Sequence, residues 1–199
     1  MNTYLLRLSA CLFVVLSFSV KALVVNGCTI EPDTSCPGAN LYGAFLYDVN
    51  LSDADLTDAN LHGAYLSYST LSGVDLSGAN LSNANLYYAW SVGIDLTGAN
   101  LTDAVLSEAT LTNAILTDAT LTDAHLDDTN LSGADLSAAF GWSATDLTDA
   151  LYNDQTLFTT DFDPVAAGMS YVPTAVPVPA AAWLFGSALV GLGLVRRSK

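Results

Sequence analysis

From Leu23 to Val195 the sequence contains no lysine and no arginine. The five basic residues, Arg7, Lys21, Arg196, Arg197 and Lys199, all lie near the ends of the 199-residue chain, and all 20 acids lie between them. The interior thus carries a formal charge of minus 20, which excludes a nucleic-acid binder that works by phosphate neutralisation, since that needs clustered Lys and Arg. Salt bridges are excluded as a source of stability over the same span. Histidine is almost as scarce, with His62 and His125 the only two. Nothing beside them activates a nucleophile or stabilises an oxyanion. No catalytic residue, cofactor site or metal site is expected, and the chain reads as non-enzymatic. Only 13% of residues are charged and 51% are hydrophobic, so the next question is where the apolar residues sit.

Some of them form the two ends. Met1 to Ala22 has one early cation, Arg7, an apolar run from Leu8 to Val20, and small residues flanking Lys21. That is the layout of a secretory signal peptide, and it predicts removal of residues 1–22 by signal peptidase. The segment Leu8-Ser9-Ala10-Cys11 spells a lipobox, but the apolar run follows the cysteine instead of preceding it, so Cys11 reads as a small residue inside the signal. At the other end Val176-Pro177-Val178-Pro179 precedes sixteen uncharged residues, 180–195, and then Arg196-Arg197-Ser198-Lys199. As a helix, 180–195 spans about 24 Å at about 1.5 Å per residue, short of the roughly 30 Å hydrocarbon core but serviceable with snorkelling cations. The basic cluster after it, Arg196, Arg197 and Lys199, predicts a cytoplasmic C-terminus.

A proline-bearing motif, a short spanning helix beginning Ala180-Ala181-Ala182-Trp183-Leu184-Phe185-Gly186 and a basic tail resemble the PEP-CTERM sorting signal of Gram-negative bacteria. The family's commonest motif has Glu between the prolines, where this chain has Val178. The resemblance implies a transient stay in the inner membrane, processing by the membrane protease exosortase, and delivery to the cell surface or the exopolysaccharide matrix.

The remaining apolar residues recur every five positions. Of the twenty positions at spacing five from 41 to 136, nineteen are Leu and the exception is Ser91. Two residues before each centre stands Ala in 15 of 20 cases, and otherwise Val49, Ser69, Val74, Ile94 or Thr129. Spacing five fits neither a 3.6-residue helix nor a two-residue strand, so the pattern denotes a repeat architecture. A leucine-rich repeat, with units of about 20–29 residues and unequal gaps, is excluded. A square coil with one repeat per side accounts for the restrictions: the leucine and the small residue point inward. The residue two after the leucine, which is Gly, Asn or Asp in 16 of 20 repeats, turns the corner. Coils of 20 residues then stack at about 4.8 Å, each burying its leucines against its neighbours.

Units such as Ala79-Asn80-Leu81-Ser82-Asn83 and Ala99-Asn100-Leu101-Thr102-Asp103 resemble the pentapeptide-repeat family. The resemblance implies an all-β fold, a right-handed quadrilateral β-helix of about five to six coils, and leaves activity open because the family's functions are diverse. The expected organisation is a signal peptide (1–22), an N-terminal cap (23–38), the solenoid (39–138), an irregular last coil and cap (139–163), a linker (164–175) and the sorting signal (176–199) with its helix at 180–195. In this last coil the frame slips at Gly141 and resumes at Leu147, Tyr152, Leu157 and Phe162. Cys28 and Cys36, in an exported chain, read as a disulfide; eight residues apart with no nearby His they make a poor zinc site.

Stacking places residues 20 apart above one another. One outward column is Asp55, Asp75, Asp95, Ile115 and Asp135, another Asn40, Asn60, Asn80, Asn100 and Thr120. Neighbouring carboxylates in such a ladder repel by only about 0.9 kcal/mol in water, so they read as solvated repeat positions, and a single file supplies poorly the six to eight oxygens that Ca²⁺ takes. Phe45 aligns with Tyr65, Tyr68 with Tyr88 and Tyr47 with Tyr87, with Trp90 nearby, an aromatic strip that either stabilises stacking or contacts sugar rings or a partner. Two functions are expected: a non-catalytic surface or matrix rod, with exopolysaccharide as a partner, or, as the resemblance to the pentapeptide-repeat family implies, a DNA mimic of the kind that inhibits gyrase. Residues 39–138 hold 13 acids, one per roughly 1.8 Å of rod against about 1.7 Å per charge in duplex DNA. Export signals at both ends favour the first.

Overall fold

The computed structural model describes residues 23–174 and shows an all-β solenoid of four-sided coils. The expected signal peptide at 1–22 and the expected sorting signal at 176–199, with Val176–Pro179, the helix expected at 180–195 and the basic tail, lie outside the described residues. Among the described residues no helix is long and apolar enough to cross a membrane.

Most sides are built the same way. The inward leucine opens a β-turn that is closed by the N–H of the inward small residue three positions on, as where Ala79 N–H donates to the Leu76 carbonyl at 3.0 Å. The third residue of the turn has positive φ, +56° at Asp58 and +69° at Gly78. L-residues with a Cβ reach that region only at a cost that Asn and Asp bear best, which explains the restriction two residues after each leucine.

Successive coils are joined through the residue before each leucine, which bridges in parallel to the residue 20 further on: Asn40 to Asn60, Asn60 to Asn80, Asn80 to Asn100. Along one side, Asn60 N–H donates to the Ala39 carbonyl at 2.9 Å, Leu61 N–H to Asn80 at 2.8 Å and Gly63 N–H to Ser82 at 2.9 Å. Backbone groups are therefore satisfied between coils, and the interior is left to Leu and Ala. The leucines from Leu41 to Leu136 are all buried. Removing each from water stabilises the stack by about 1.5–3 kcal/mol, a gain available only when neighbouring coils are present.

The N-terminal cap is a hairpin. Strands β1 (Leu23–Val25) and β2 (Cys28–Ile30) pair antiparallel around Asn26-Gly27. Both turn residues have positive φ, +50° and +88°, the mirror-image geometry that matches strand twist in two-residue hairpins. Cys28 and Ile30 are buried in the same core as the leucines. Cys28 and Cys36 form a disulfide with Cα atoms 5.8 Å apart, tying the hairpin to the first coil.

At the other end the coil lengthens. Thr120 still bridges Phe140, 20 residues on, but His125 bridges Asp146 and Asn130 bridges Leu151, both 21 on. Strand β3 (Asp135–Leu136) pairs with β5 (Leu157–Phe158), 22 on. One residue is inserted around Gly141, where a short 3₁₀ turn spans Trp142–Ala144, and another between β4 (Leu151–Tyr152) and β5. The second insertion corrects the expected frame. Leu157 is not an inward centre but is 52% exposed, and Phe158 takes the inward place.

The expected linker is also corrected. Residues 164–168 form a turn, Met169 is buried, and β6 (Ser170–Tyr171) pairs in parallel with β4. An apolar side chain at 169 keeps the strand against the core. Rings close the end: Trp142 lies 4.6 Å from Phe162, Phe162 5.0 Å from Phe158, and Tyr152 5.7 Å from Phe158. The Trp142 indole N–H donates to the Ala139 carbonyl at 2.7 Å.

Candidate functional site

The four corners are not equivalent. At three of them the residue two after the leucine is Gly, Asn or Asp, with Ala138 the exception. At the corner that follows Leu46, Leu66, Leu86, Leu106, Leu126 and Leu147 this position holds Asp48, Tyr68, Tyr88, Glu108, Asp128 and Asp149, with no glycine or asparagine. Tyr68, Tyr88 and Glu108 have φ of +62°, +56° and +59°. Among the described residues, every other position with positive φ is Gly, Asn or Asp. Left-handed backbone costs a bulky L-residue about 1–2 kcal/mol, and strain concentrated in one place points to side chains retained for function.

Those side chains form a continuous aromatic surface. Tyr68 stacks parallel on Tyr88 at 5.4 Å and lies 5.5 Å from Tyr47. Tyr87 meets both edge-on, 5.9 Å from Tyr68 and 4.7 Å from Tyr88. On the adjoining face Phe45 lies flat on Tyr65 at 5.0 Å, and at that face's other corner Tyr42 stacks on His62 at 5.3 Å. Apart from half-buried Tyr87 and His62 the rings are open to solvent, Phe45 to 78%. Trp90, exposed on the next face, is bridged to Thr70 and Thr110 and lies beyond the stack. The aligned pairs Phe45/Tyr65 and Tyr68/Tyr88 were visible in the sequence. That they share one face and its corners was not.

Below the rings the same face turns acidic. The Tyr87 hydroxyl donates to Glu108 Oε1 at 3.0 Å. That bond to a carboxylate pushes the Tyr87 phenol up to about 12, and Glu108 raises Tyr88 as well. Lower still, ligand atoms of His125, Asp127 and Asp146 lie within 4.8 Å of one another. The two histidines differ: His62 Nδ1 is 2.7 Å from Ser82 Oγ, whereas the His125 ring makes no hydrogen bond among the described residues.

The other columns have a structural role that the sequence reading missed. Asp55, Asp75 and Asp95 do stack, but each Oδ1 accepts the N–H two residues on, from Thr57 at 3.1 Å, Ser77 at 2.9 Å and Thr97 at 2.9 Å. The Thr57 hydroxyl and amide hold the Asp55 carboxyl below its usual range. Asn60, Asn80 and Asn100 accept from His62, Ser82 and Thr102 in the same way. These are Asx turns, and their signal is an Asn or Asp two residues before the Ser or Thr of the corner.

The sequence matches the family model for pentapeptide repeats in eight copies over residues 34–140, more than half of the chain. No curated protein matches it. Among solved structures, a trypsin-treated form of QnrB1, a plasmid-mediated fluoroquinolone resistance protein, superposes with a TM-score of 0.60 at 20% identity, covering 77% of this chain and 72% of that one. A pentapeptide repeat protein from the thylakoid lumen of Arabidopsis thaliana is 31% identical over 51% of this chain and 69% of its own, with a TM-score of 0.48. Rfr23 from the cyanobacterium Cyanothece 51142 is 28% identical over 62% and 90%, with a TM-score of 0.42. With a period-five core, four-sided coils and a family-model match that runs through the repeats, this chain belongs to the pentapeptide-repeat family.

Proposed function

We propose that the protein is a non-catalytic exported rod, sorted to the cell surface or exopolysaccharide matrix, that holds matrix sugar on its aromatic face. The observation that carries this reading is the band of exposed rings on one face, kept in place by left-handed tyrosines. Flat exposed rings offer their faces to the C–H side of a pyranose and their hydroxyls to its hydroxyl groups. A working domain of minus 20 without a single Lys or Arg repels anionic polymers, so the fitting ligand is a neutral polysaccharide. Export supports the same reading through the signal-peptide layout of residues 1–22 and the sorting layout of residues 176–199, with signal peptidase and exosortase as the processing partners and the inner membrane as a transient station.

Affinity electrophoresis through gels containing a neutral glucan or a sulfated one tests the binding. Wild type is retarded by the neutral polymer only, and the Tyr68→Gly/Tyr88→Gly variant runs freely. That variant folds, since glycine relieves about 1–2 kcal/mol of left-handed strain per site against ring stacking worth about 0.5–1.5 kcal/mol per pair. Mass spectrometry of both termini tests the sorting. A mature form beginning near Leu23 and lacking residues 180–199, recovered from the surface or medium, supports it, and full-length protein in the cytosol overturns it. The latter outcome favours the second reading, a DNA mimic acting on an enzyme such as gyrase, for which the close spacing of 13 acids along residues 39–138 speaks.

A further inference from the structure

We infer that His125, Asp127 and Asp146 form a binding site for a divalent transition-metal ion of the zinc, nickel or cobalt class. The three residues converge from two coils, with one ligand atom from each lying within 4.8 Å of the other two. Each breaks the repeat in its own way. His125 is the only histidine among the twenty positions that precede a centre, where Asn and Asp predominate. Asp127 is the only acid among the twenty that follow one, where Ser or Thr stands in 14. Asp146 arrives through the inserted residue: at the regular spacing of 20, Thr145 would lie beside His125, whereas the slip brings in Asp146 as its bridge partner. Thr145 instead turns inward, its hydroxyl donating to the Leu121 carbonyl at 2.7 Å.

The donor atoms are available. Asp127 Oδ1 accepts from Ser107 Oγ at 2.6 Å and Asp146 Oδ1 accepts from Thr148 N–H at 3.0 Å, which leaves each carboxylate one oxygen for a ligand. Zinc binds imidazole nitrogen and carboxylate oxygen at about 2.0–2.2 Å, which sets its donors roughly 3–3.5 Å apart. Small side-chain rotations close the difference, and His125 and Asp146 are exposed enough to make them. One imidazole and two carboxylates suit a transition metal better than Ca²⁺ or Mg²⁺, which take oxygen ligands throughout. Three protein ligands leave a coordination position open to water or to a hydroxyl of a bound molecule. The site is independent of sugar binding.

The two histidines make the test specific. In ring ¹H–¹⁵N spectra of the full-length chain, Zn²⁺ shifts the His125 resonances and leaves those of His62 in place, and Co²⁺ broadens His125 alone. Zinc raises Tm at concentrations where Ca²⁺ does not. His125→Asn and Asp146→Asn each weaken binding at least tenfold, while Asp123→Asn, at another corner, binds as wild type. An unmoved His125, equal shifts at both histidines, or undiminished binding by His125→Asn would overturn the assignment and leave the cluster as a histidine–carboxylate charge pair.

Discussion

Ser91 and Ile94 stand at the two ends of one core turn, and each is the wrong size for its place. Ser91 occupies a leucine position and Ile94 an alanine position, both fully buried. The turn bond between them, from Ile94 N–H to the Ser91 carbonyl, is stretched to 3.4 Å against about 2.9–3.0 Å in most other turns. The Ser91 hydroxyl has no hydrogen-bond partner. The isoleucine supplies volume that the serine withholds, so interior packing is conserved across the pair and not at either site.

Volume exchange predicts strongly non-additive mutations. Ser91→Leu alone overpacks the turn and costs about 1–3 kcal/mol, whereas Ser91→Leu with Ile94→Ala restores the regular repeat and comes within about 1 kcal/mol of wild type. Ser91→Ala removes the unpaired hydroxyl and gains about 1 kcal/mol. Chemical denaturation of these three variants and of Ile94→Ala alone measures all of this, and additive effects would refute the exchange.

The Tyr87–Glu108 bond predicts an alkaline dependence of stability. The folded phenol titrates at about 12 and an unfolded one near 10, so between these values the folded state holds a proton that the unfolded state has lost. The contribution is complete below pH about 10 and disappears as pH rises through about 12. Spectrophotometric titration at 295 nm shows late-ionising tyrosines, Tyr87 and Tyr88 among them, and Glu108→Gln returns both toward the ordinary value and flattens that part of the stability profile.

The disulfide adds a covalent tie to a hairpin that otherwise holds the rod through buried Cys28 and Ile30 and the Asn26 amide on the Asn40 carbonyl. Cys28→Ser lowers stability by about 2–4 kcal/mol, with loss concentrated in hydrogen-exchange protection of residues 23–40. Thiol labelling that finds Cys28 and Cys36 free counts against the bridge.

Gly141 has φ of +92°, and a Cβ there would meet the Thr122 amide nitrogen at 2.5 Å. Because the obstacle is backbone, Gly141→Ala forces the inserted residue to move. Stability falls by about 1–3 kcal/mol, and the His125–Asp146 register, with its metal affinity, is lost in the same variant.

A period of five determined much of this without coordinates. The leucine columns, the inward small residues and the corners were legible from Leu41 to Leu136 because each repeat makes the same contacts as the next, so local spacing and tertiary contact coincide. Where they diverge, the sequence said less. Asn26-Gly27 spells a two-residue hairpin turn, a signal that spacing between the cysteines does not carry. Leu157 kept the apolar period but faced solvent once a second insertion moved the frame, and Met169 drew a supposed linker into the core.

Composition and spacing by themselves determined an acidic, cation-free solenoid and the identity of its core. Only the tertiary structure decided that Tyr68, Tyr88 and Glu108 hold left-handed backbone while Tyr87 bonds Glu108, and that Asp146 in place of Thr145 stands beside His125. The reason is geometric. A side chain's face depends on the running count of residues around the coil, and a single inserted residue, silent in composition, rotates everything after it.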